Sequence, residues 1–358
     1  LLGHMVASCQ AFSRLEKELQ RRNIDVVSYL ADGKSYKMSP ERIAYDVCVA
    51  DIVVLGMANS PDLAKEELAV AELRASLKKP VAFYADTYDS WARPHFRDAM
   101  EKASVLFVIN EAEAEKARGF FKNPNLKIVA PGNPMWEDFC FPAVSREEVR
   151  AKLRIADGER LILCPFGKSF VVNTLHAGGI IQAVSLLGGK YGEMCKIVLA
   201  HHPGDKNLPE AYEDLTVSKK VSVRIVAKVE MPTSQILAGS DLVVESASTI
   251  GIEAAHLRIP IINYFTEVAL ARLEKQIGTR EWEPCKLGVS RLVANSSPEI
   301  LSDEIYSMLK ENDFIREKLL KRQAVVYPAS KAKGAAVSAM ADALVAAVAK
   351  ASGSVSIG

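Results

Sequence analysis

Carboxylates and hydroxyls lie close together in the segment 243–265, which reads VVESASTIGIEAAHLRIPIINYF. Glu245 and Glu253 stand eight positions apart in it. The hydroxyls between them belong to Ser246, Ser248 and Thr249. One apolar run precedes this stretch and another follows it, so the pattern predicts a strand, a turn, a helix and a second strand.

This segment has the composition of a phosphate-binding turn. Small residues with hydroxyls and free amides at the start of a helix suit a pyrophosphate, because the helix N-terminus favours anions. Glu253 falls about one turn into the predicted helix, where its carboxylate could accept both hydroxyls of a ribose. The alternative is an ordinary helix with a Ser or Thr cap and Glu in its first turn. The spacing of Glu245 and Glu253 favours the binding interpretation.

A histidine lies near the start of the chain, in LLGHMVASCQAFSRLEKEL. Gly3 and His4 come directly before a predicted helix. Glycine permits close approach of the backbone to a ligand, and histidine titrates near neutral pH, so His4 is a candidate general base. Alternatively, His4 is a loop histidine. Because the chain opens without Met, there are two further interpretations: GHM is a cloning scar, or a few residues of a first strand are missing.

Two kinds of candidate follow the apolar run 80–87, in YADTYDSWARPHF. Asp86 is a candidate base for a substrate hydroxyl or, alternatively, a turn former in a solvated loop. Trp91 and Arg93 could stack on or pair with an acceptor, so DSWARPHF is the predicted acceptor segment. The identity of that acceptor is left open, since such loops vary freely.

Donors for phosphate oxygens follow the apolar run 160–167, in CPFGKSF. Gly167, Lys168 and Ser169 offer backbone amides, a cation and a hydroxyl. The sequence lacks the spacing of a P-loop. The next run ends in AHHPGDK, where two adjacent histidines cannot both point the same way. We expect His202 in the site and its neighbour packed or at the surface, and no third ligand at helical spacing supports a metal there.

Runs rich in Val, Ile and Leu recur along the chain and alternate with helical patterns. They occupy residues 25–31, 51–58, 80–87, 105–110, 126–134, 160–167, 196–204, 223–228, 241–247, 260–265 and 291–295. Most are continuous rather than alternating, which is typical of parallel strands buried on both faces. We therefore predict an α/β fold of two Rossmann-like, doubly wound parallel-sheet domains facing a central cleft, with ligands at the carboxyl ends of the strands.

The strand pattern pauses between about residues 136 and 160, and the domain boundary is predicted there. A helix within the pause opens with Ser145 and Glu148, a capping-box signature. The predicted segments are an N-terminal domain, a C-terminal domain and a final Ala-rich helix, over 1–143, 144–335 and 336–358. The final helix is expected to pack back toward the first domain.

Composition restricts the class of protein. The 358 residues suggest about two domains. Lys plus Arg number 45 and Asp plus Glu 44, so no nucleic-acid partner is expected. Six scattered cysteines without zinc-ligand spacing favour free thiols in a reducing cytoplasm. No signal peptide and no apolar run of roughly 18 residues is found, which predicts a cytoplasmic protein without a transmembrane segment.

Together these motifs resemble the GT-B superfamily of nucleotide-sugar glycosyltransferases and the related non-hydrolysing UDP-N-acetylglucosamine 2-epimerases, over roughly residues 3–345. GHMVASCQAFSRLEKELQRRN is similar to the Gly-His loop and first helix of many GT-B enzymes, which argues against a cloning scar. VLFVINEAEAEKARGFF with VAPGNPMWEDF looks like the end of the first domain in the epimerase and lipid-disaccharide-synthase branches. ESASTIGIEAAHLRIPII is similar to the donor-binding signature of the second domain.

The resemblance implies an acceptor site in the first domain and a nucleotide-sugar donor site in the second. It implies that Glu253 binds the ribose and that Ser248, Thr249 and neighbouring amides hold the diphosphate. Glu245 with Glu253 matches the carboxylate spacing of retaining GT-B enzymes, whereas His4 matches a base-like histidine of several inverting ones, so the stereochemistry is left open. The candidate catalytic residues are His4, Asp86 and Glu245. The candidate donor-binding residues are Gly3, Gly167, Lys168, Ser169, His202, Ser246, Ser248, Thr249 and Glu253.

The sequence departs from the epimerases at three strand ends. Where those enzymes have Gly-Asp-Thr, Glu-Ala-Gly-Leu-Arg and Asp-Ser-Gly-Gly, this chain has GMANS, ADTYDSW and ESASTI. Key acidic residues of epimerase chemistry are therefore absent or replaced, and glycosyl transfer is the favoured reaction.

The predicted function is metal-independent transfer of a sugar from a nucleoside diphosphate sugar, with UDP as the favoured nucleotide, to an acceptor hydroxyl. No cofactor beyond the substrate is expected, because Lys168 and the amides near Ser248 would stabilise the leaving diphosphate. The alternatives are a 2-epimerase or hydrolase acting on the same donor, and a non-catalytic nucleotide-sugar-binding protein. The base and sugar of the donor and the oligomeric state, a homodimer included, are left open.

Overall fold

The chain forms two compact units in the computed structural model, which describes residues 1–31, 39–202, 204–217, 220–277 and 280–353. The first unit comprises Leu1–Asp138 and the chain from Ser330 onward, and the second comprises Phe139–Ala329. Each unit is built on one sheet of six parallel strands. The end of the predicted tail, 354–358, and residue 203 of the run 196–204 lie outside the described residues.

The sheet of the first unit is made of short, buried strands. They are β1 (Leu2–Gly3), β2 (Tyr29–Leu30), β3 (Val53–Leu55), β4 (Val81–Tyr84), β5 (Val105–Phe107) and β6 (Lys127–Val129). Their order across the sheet is β2-β1-β3-β4-β5-β6. Every residue of β3, β4 and β5 is buried, as expected for a parallel sheet with helices on both faces.

Helices from both ends of the chain cover this sheet. They are α1 (Val6–Arg21), α2 (Pro40–Val49), α3 (Lys65–Ser76), α4 (Arg97–Met100), α5 (Glu111–Phe120) and, last in the chain, α15 (Ala335–Gly353). The short helix α6 (Glu137–Cys140) spans the point of the chain where the first unit ends and the second begins. Short 3₁₀ turns at Ser90–Ala92 and Pro94–Phe96 follow β4. The last helix packs on α1 and β5. Arg22, which follows α1, pairs with Asp342 of this helix at 2.5 Å.

The second unit repeats the architecture with longer strands. They are β7 (Arg160–Pro165), β8 (Cys195–Ala200), β9 (Ser222–Val226), β10 (Leu242–Glu245), β11 (Ile261–Phe265) and β12 (Arg291–Ala294). Their order is β9-β8-β7-β10-β11-β12, which is the Rossmann order 3-2-1-4-5-6. The helices are α7 (Arg146–Leu153), α8 (Phe170–Tyr191), α9 (Thr233–Gly239), α10 (Ile250–His256), α11 (Glu267–Ile277), α12 (Glu283–Lys286), α13 (Pro298–Leu309) and α14 (Phe314–Val326), with a 3₁₀ helix at Pro209–Thr216.

The predicted α/β fold of two Rossmann-like parallel-sheet domains is confirmed. Each of the eleven apolar runs overlaps one strand, which is shorter than the run that predicted it. The strand that the sequence did not show is β1, which has only two residues. The predicted capping box is also present, because Oγ of Ser145 accepts from the Glu148 N–H at 3.2 Å and the Glu148 carboxylate accepts from the Ser145 N–H at 2.8 Å.

The absence of a transmembrane segment stays a prediction, although two helices of the described chain are long and apolar enough to cross a membrane. Phe170–Tyr191 and Ala335–Ser352 qualify by length and composition. The sequence scan missed them because Gly, Ser, Thr and His interrupt their apolar runs. Each helix buries part of its surface in the core of its own unit, through Ile180 in one and Met340 in the other.

Candidate functional site

The second sheet has a switch point between β7 and β10. These strands are adjacent and parallel, with Leu163 opposite Val243. The chain leaves β7 toward β8 on one side, whereas it leaves β10 toward β11 on the other. The loops that follow the two strands therefore diverge and open a crevice at the carboxyl edge of the sheet, where ligands bind in doubly wound folds.

A pocket of about 330 Å³ lies at this switch point. It is lined by the loops after β7, β8 and β10, the start of α8 and one face of α11. The structure brings seven predicted donor-binding residues together in its lining: Gly167, Lys168, Ser169, His202, Ser246, Ser248 and Thr249. Asn173, Phe265 and Arg272 also line it, although the sequence analysis did not single them out.

The pocket is positively charged. Lys168 and Arg272 line it, and none of the described lining residues is Asp or Glu. In the described part of the chain, neither cation has an ion-pair or hydrogen-bond partner. The long helix α8 begins beside Lys168, and Ser169 at its N-cap makes no side-chain capping bond, so the first amides of the helix lack a side-chain acceptor. Two cations and an uncapped helix N-terminus favour an anionic ligand.

Gly167 does not offer its amide to a ligand, contrary to the prediction. Its N–H donates to Oδ1 of Asn173 at 2.8 Å, and Nδ2 of Asn173 donates back to the Gly167 carbonyl at 3.0 Å. Asn173 is buried on α8, where Nδ2 also donates to Asp205 at 3.0 Å and to the Tyr212 hydroxyl at 2.9 Å. Asn173 therefore shapes the loop after β7, and the amides available to a ligand begin at Lys168.

The two adjacent histidines occupy different environments. Nδ1 of His202 accepts from the Gly204 N–H at 2.8 Å, which leaves the proton of the neutral ring on Nε2. Burial, and then the charge of Lys168, lower the pKa of His202. At neutral pH the ring therefore brings a neutral donor to the pocket. His201 is buried instead, and its Nε2 contacts the Asn207 carbonyl at 2.9 Å.

Glu245 does not fit its predicted catalytic role. It is fully buried and does not line the pocket. Its carboxylate accepts from the Ser248 N–H and, at 2.7 Å, from Nδ2 of Asn263. Burial raises the pKa of Glu245 to about 8, and these hydrogen bonds oppose the rise. A catalytic group must reach the reacting atoms, whereas this carboxylate contacts the underside of the loop. The eight-residue spacing showed the helical turn but not the direction of the side chain.

Glu253 lies half-buried on α10, one helical turn beyond Thr249 of the lining. It does not itself line the pocket. Burial raises the pKa of Glu253 to about 7. Within the described ranges no side chain or amide bonds to its carboxylate. Its role as a ribose ligand stays a prediction. Helix α10 has only seven residues, whereas α8 has 22, so the N-terminus of α8 is the better candidate to attract an anion.

Arg272 is the functional candidate that the sequence analysis missed. It shares one face of α11 with Ala269 and Leu273, because residues three and four apart lie on the same side of a helix. The available signal was a single cation on an otherwise apolar helix face. Its direction toward the pocket depends on the packing of α11 against β11, which the sequence does not show.

The first sheet has its own switch point, between β1 and β3. Glu67 of α3 is fully buried there, and its carboxylate accepts from the N–H groups of His4 at 3.4 Å and Ala58 at 3.1 Å. It thereby bridges the loops after both strands. Glycine is required at position 56, because a Cβ there would stand 2.7 Å from Oε1 of Glu67. Burial raises the pKa of Glu67 to about 7.

The predicted residues of the first unit fare differently. Gly3 lies buried in β1, where its carbonyl accepts from the Ala31 N–H at 3.0 Å. It is not among the residues that line the pocket of the second unit. His4 follows it, half-buried, and its role as a base stays a prediction. Arg93 donates to the Met57 carbonyl, so part of its guanidinium is already engaged.

Asp86, a candidate catalytic residue of the first unit, has a carboxylate oxygen that no described residue engages. It follows β4, and its buried Oδ1 has no hydrogen-bond partner among the described residues. Burial raises the pKa of Asp86, and the charge of Arg93 opposes the rise. A carboxyl group with one unpartnered oxygen and a raised pKa suits acid–base chemistry. Its predicted catalytic role is compatible with this environment and stays a prediction.

Trp91 is a core residue and not an acceptor contact, contrary to the prediction. Only 5% of it is exposed. Its Nε1 donates to Glu113 at 2.8 Å, and its ring packs edge-on against Phe120 and Phe121. The sequence pattern predicts a surface group here, whereas the 3₁₀ turn after β4 directs Trp91 inward.

Metal ligands do not cluster in the described ranges of the chain. There, no group of three or more His, Cys, Asp or Glu is placed to hold an ion. The six cysteines are free thiols, and Cys9, Cys164 and Cys195 are buried.

We predict that Glu67→Gln removes a pH dependence of stability. The pKa of Glu67 rises from 4.5 to about 7 on folding, so the folded chain binds more protons between these values. The resulting stabilisation is complete below pH 4.5 and is lost as pH rises through 7. It corresponds to on the order of 3 kcal/mol. In urea unfolding from about pH 5 to about pH 8, the wild type should lose stability relative to Glu67→Gln. A pH-independent difference between the two would contradict the raised pKa.

Several solved structures share this fold. A candidate UDP-N-acetylglucosamine 2-epimerase from Listeria monocytogenes is 14% identical, with a TM-score of 0.59 over 98% of this chain and 96% of that one. A UDP-GlcNAc 2-epimerase from Neisseria meningitidis, solved with UDP-GlcNAc bound, is 14% identical, with a TM-score of 0.54 over 96% and 98%. A glycosyltransferase from Rickettsia africae is 12% identical, with a TM-score of 0.54 over 98% and 97%.

At the level of sequence, no protein-family model and no curated protein matches the chain. The structural matches cover nearly the whole chain, and they include both epimerases and a glycosyltransferase. The chain therefore shares the fold of these proteins, which is the fold that its motifs predicted.

Proposed function

We propose that this chain is a glycosyltransferase that binds a nucleoside diphosphate sugar in the pocket of its second unit. The observation that supports this best is the combination of Lys168, Arg272 and the uncapped start of α8 around one pocket. The diphosphate of such a donor is an anion with several acceptor oxygens. It would supply the counter-charge that the described lining lacks.

The charges of the pocket set the expected size of the effect. A pair of unit charges about 4 Å apart contributes about 1 kcal/mol in water and about 4 kcal/mol at an effective dielectric constant of 20. The pocket is partly enclosed, so each cation should contribute between these limits. Hydroxyls of Ser169, Ser246, Ser248 and Thr249 add donors without adding charge.

Glu253 is the proposed partner of the ribose. A half-buried carboxylate without a donor carries an uncompensated desolvation penalty. The two hydroxyls of a ribose would supply the missing donors and would favour the ionised carboxylate. The proposed nucleotide is UDP, because the fold is shared with the Neisseria protein that was solved with UDP-GlcNAc bound.

Transfer of the sugar requires stabilisation of the leaving diphosphate and a base for the acceptor hydroxyl. The same two cations and the amides at the start of α8 would hold the negative charge that develops as the bond to the sugar breaks. Nε2–H of His202 is a further donor at the pocket. For the base, His4 and Asp86 of the first unit stay the proposed candidates, and the acceptor is left open.

The second candidate function is epimerisation or hydrolysis of the same donor. The fold of the Neisseria and Listeria proteins favours it. The first unit also has two carboxyl groups with raised pKa values, Glu67 and Asp86. Transfer is preferred because GMANS and ADTYDSW lack the acidic pattern of the epimerases at these strand ends.

Variants of the pocket should separate the diphosphate contacts from the ribose contact. We expect Lys168→Ala and Arg272→Ala each to lower the affinity for both UDP and inorganic pyrophosphate by roughly 10- to 100-fold, since each removes a charged donor. Glu253→Ala should lower the affinity for UDP by at least about tenfold and leave the affinity for pyrophosphate unchanged, because pyrophosphate has no ribose. Isothermal titration calorimetry measures all three.

Lys190→Ala is the matched control, because Lys190 lies at the other end of α8 and is paired with Asp303 at 2.6 Å. Its affinity for both ligands should equal that of the wild type. Unchanged UDP affinity in Lys168→Ala and Arg272→Ala would rule out the proposed diphosphate site.

The reaction is tested by incubating the purified chain with UDP-GlcNAc and other UDP sugars. We expect UDP to be released only when a mixture of candidate acceptors is added, and the sugar to be recovered on the acceptor. An epimerised or free sugar formed without acceptor would instead support the second candidate. Tight binding without turnover across donors and acceptors would indicate a non-catalytic binding protein.

A further inference from the structure

The pocket loop after β10 is held from beneath by one buried side chain. Glu245 ends β10 and is fully buried. Its carboxylate accepts from the Ser248 N–H and, at 2.7 Å, from Nδ2 of Asn263 on β11. The same Nδ2 donates to the Ser246 carbonyl at 3.3 Å. Both ends of the loop are thus tied to one carboxylate–amide pair.

The helix that follows the loop lies against the same carboxylate. A Cβ at Gly251 would stand 2.7 Å from Oε1 of Glu245, closer than side chains tolerate. Glycine at this position lets α10 approach the carboxylate. The loop 246–249 therefore spans a short distance between a strand and a helix that are both fixed relative to Glu245.

Asn263 is itself oriented by its neighbours. Sγ of Cys285 donates to Oδ1 of Asn263 at 3.3 Å, and Oγ of Ser290 donates to Sγ of Cys285 at 3.4 Å. Because a thiol donor faces Oδ1, the donor group Nδ2 is the one that faces Glu245. A chain of hydrogen bonds thus runs from Ser290 through Cys285, Asn263 and Glu245 to Ser248.

We propose that Glu245 is a positioning residue that contacts no ligand and fixes the loop 246–249 in the shape that binds the diphosphate. The identity of the ligand rests on the proposed function, whereas the ordering of the loop does not. Burying a carboxylate is unfavourable unless its oxygens find donors, and here both oxygens have them. Loss of this acceptor would leave the Ser248 N–H without a partner, and Nδ2 of Asn263 would keep only its longer bond to the Ser246 carbonyl.

The titratable groups around Glu245 are neutral near pH 7. Burial raises the pKa of the Cys164 thiol on β7, and it raises that of Cys285 to about 11. His176 of α8 contacts the neighbouring Val244 carbonyl, and burial lowers its pKa to about 4. Since the pKa of Glu245 is about 8, Glu245 is the member of this set that ionises as pH rises from 7 to 9.

Amide hydrogen exchange and ligand affinity, measured on the full chain, test the proposal. In the ligand-free protein, Glu245→Gln should raise the exchange rates of the amides at 246–251 by at least about tenfold, with peptides from β7 and β8 unchanged. The same variant should weaken UDP by about tenfold. Asn263→Ala should have the same two effects, and it decides the question if Glu245→Gln fails to fold.

The matched control is Glu137→Gln. Glu137 is also buried and accepts backbone N–H groups, from Gly334 at 3.0 Å and Ala336 at 2.7 Å, within the first unit. It should change neither loop exchange nor UDP affinity. Because burial raises the pKa of Glu245 to about 8, opening that exposes its carboxylate becomes easier as pH rises through this value. After correction for intrinsic rates, protection of the loop should therefore fall between about pH 7 and about pH 9 in the wild type and stay flat in Glu245→Gln, a difference that a purely structural defect would not produce.

The outcomes separate the two proposals. Unchanged loop exchange in folded Glu245→Gln and Asn263→Ala would overturn the positioning role, and so would weakened UDP binding with an unchanged loop. If the wild type binds neither UDP nor pyrophosphate while the loop responds as expected, the proposed function is overturned and the ordering of the loop by Glu245 stands.

Discussion

The parallel pairing of β7 with β10 is the constraint on which the candidate site depends. The two strands are held side by side by a buried core, and the chain must leave them in opposite directions. That divergence opens the crevice, and α8 then begins at its edge with Lys168 and uncapped amides. The anionic character of the proposed ligand thus follows from topology first and from side chains second.

Each sheet also carries one fully buried carboxylate at its switch point. Glu67 holds the loops after β1 and β3 through two backbone amides, and Glu245 holds the loop after β10 through one amide and Asn263. In both cases a glycine, Gly56 or Gly251, makes room for the carboxylate. Burial opposes ionisation while the amide donors favour it, so both groups have pKa values near neutrality. Loop order in both units is therefore linked to pH.

The fold was readable from the sequence because strands buried on both faces need continuous apolar runs, and most of the pocket was readable because residues just after such runs converge at the carboxyl edge of the sheet. Side-chain direction was not readable. Glu245 turns inward because Asn263, eighteen positions later, supplies a donor. The Gly167 amide is taken by Asn173, and Trp91 enters the core. Arg272 reaches the pocket only through the packing of α11. These facts depend on tertiary contacts, which local patterns do not encode.

A crystal structure of the chain with UDP bound tests the central claim most directly. We predict that the diphosphate lies in the pocket at the β7–β10 switch point, within hydrogen-bond distance of Lys168, Arg272 and the first amides of α8, with the ribose beside Glu253. A diphosphate bound away from both cations, or bound outside the second unit, would contradict the account.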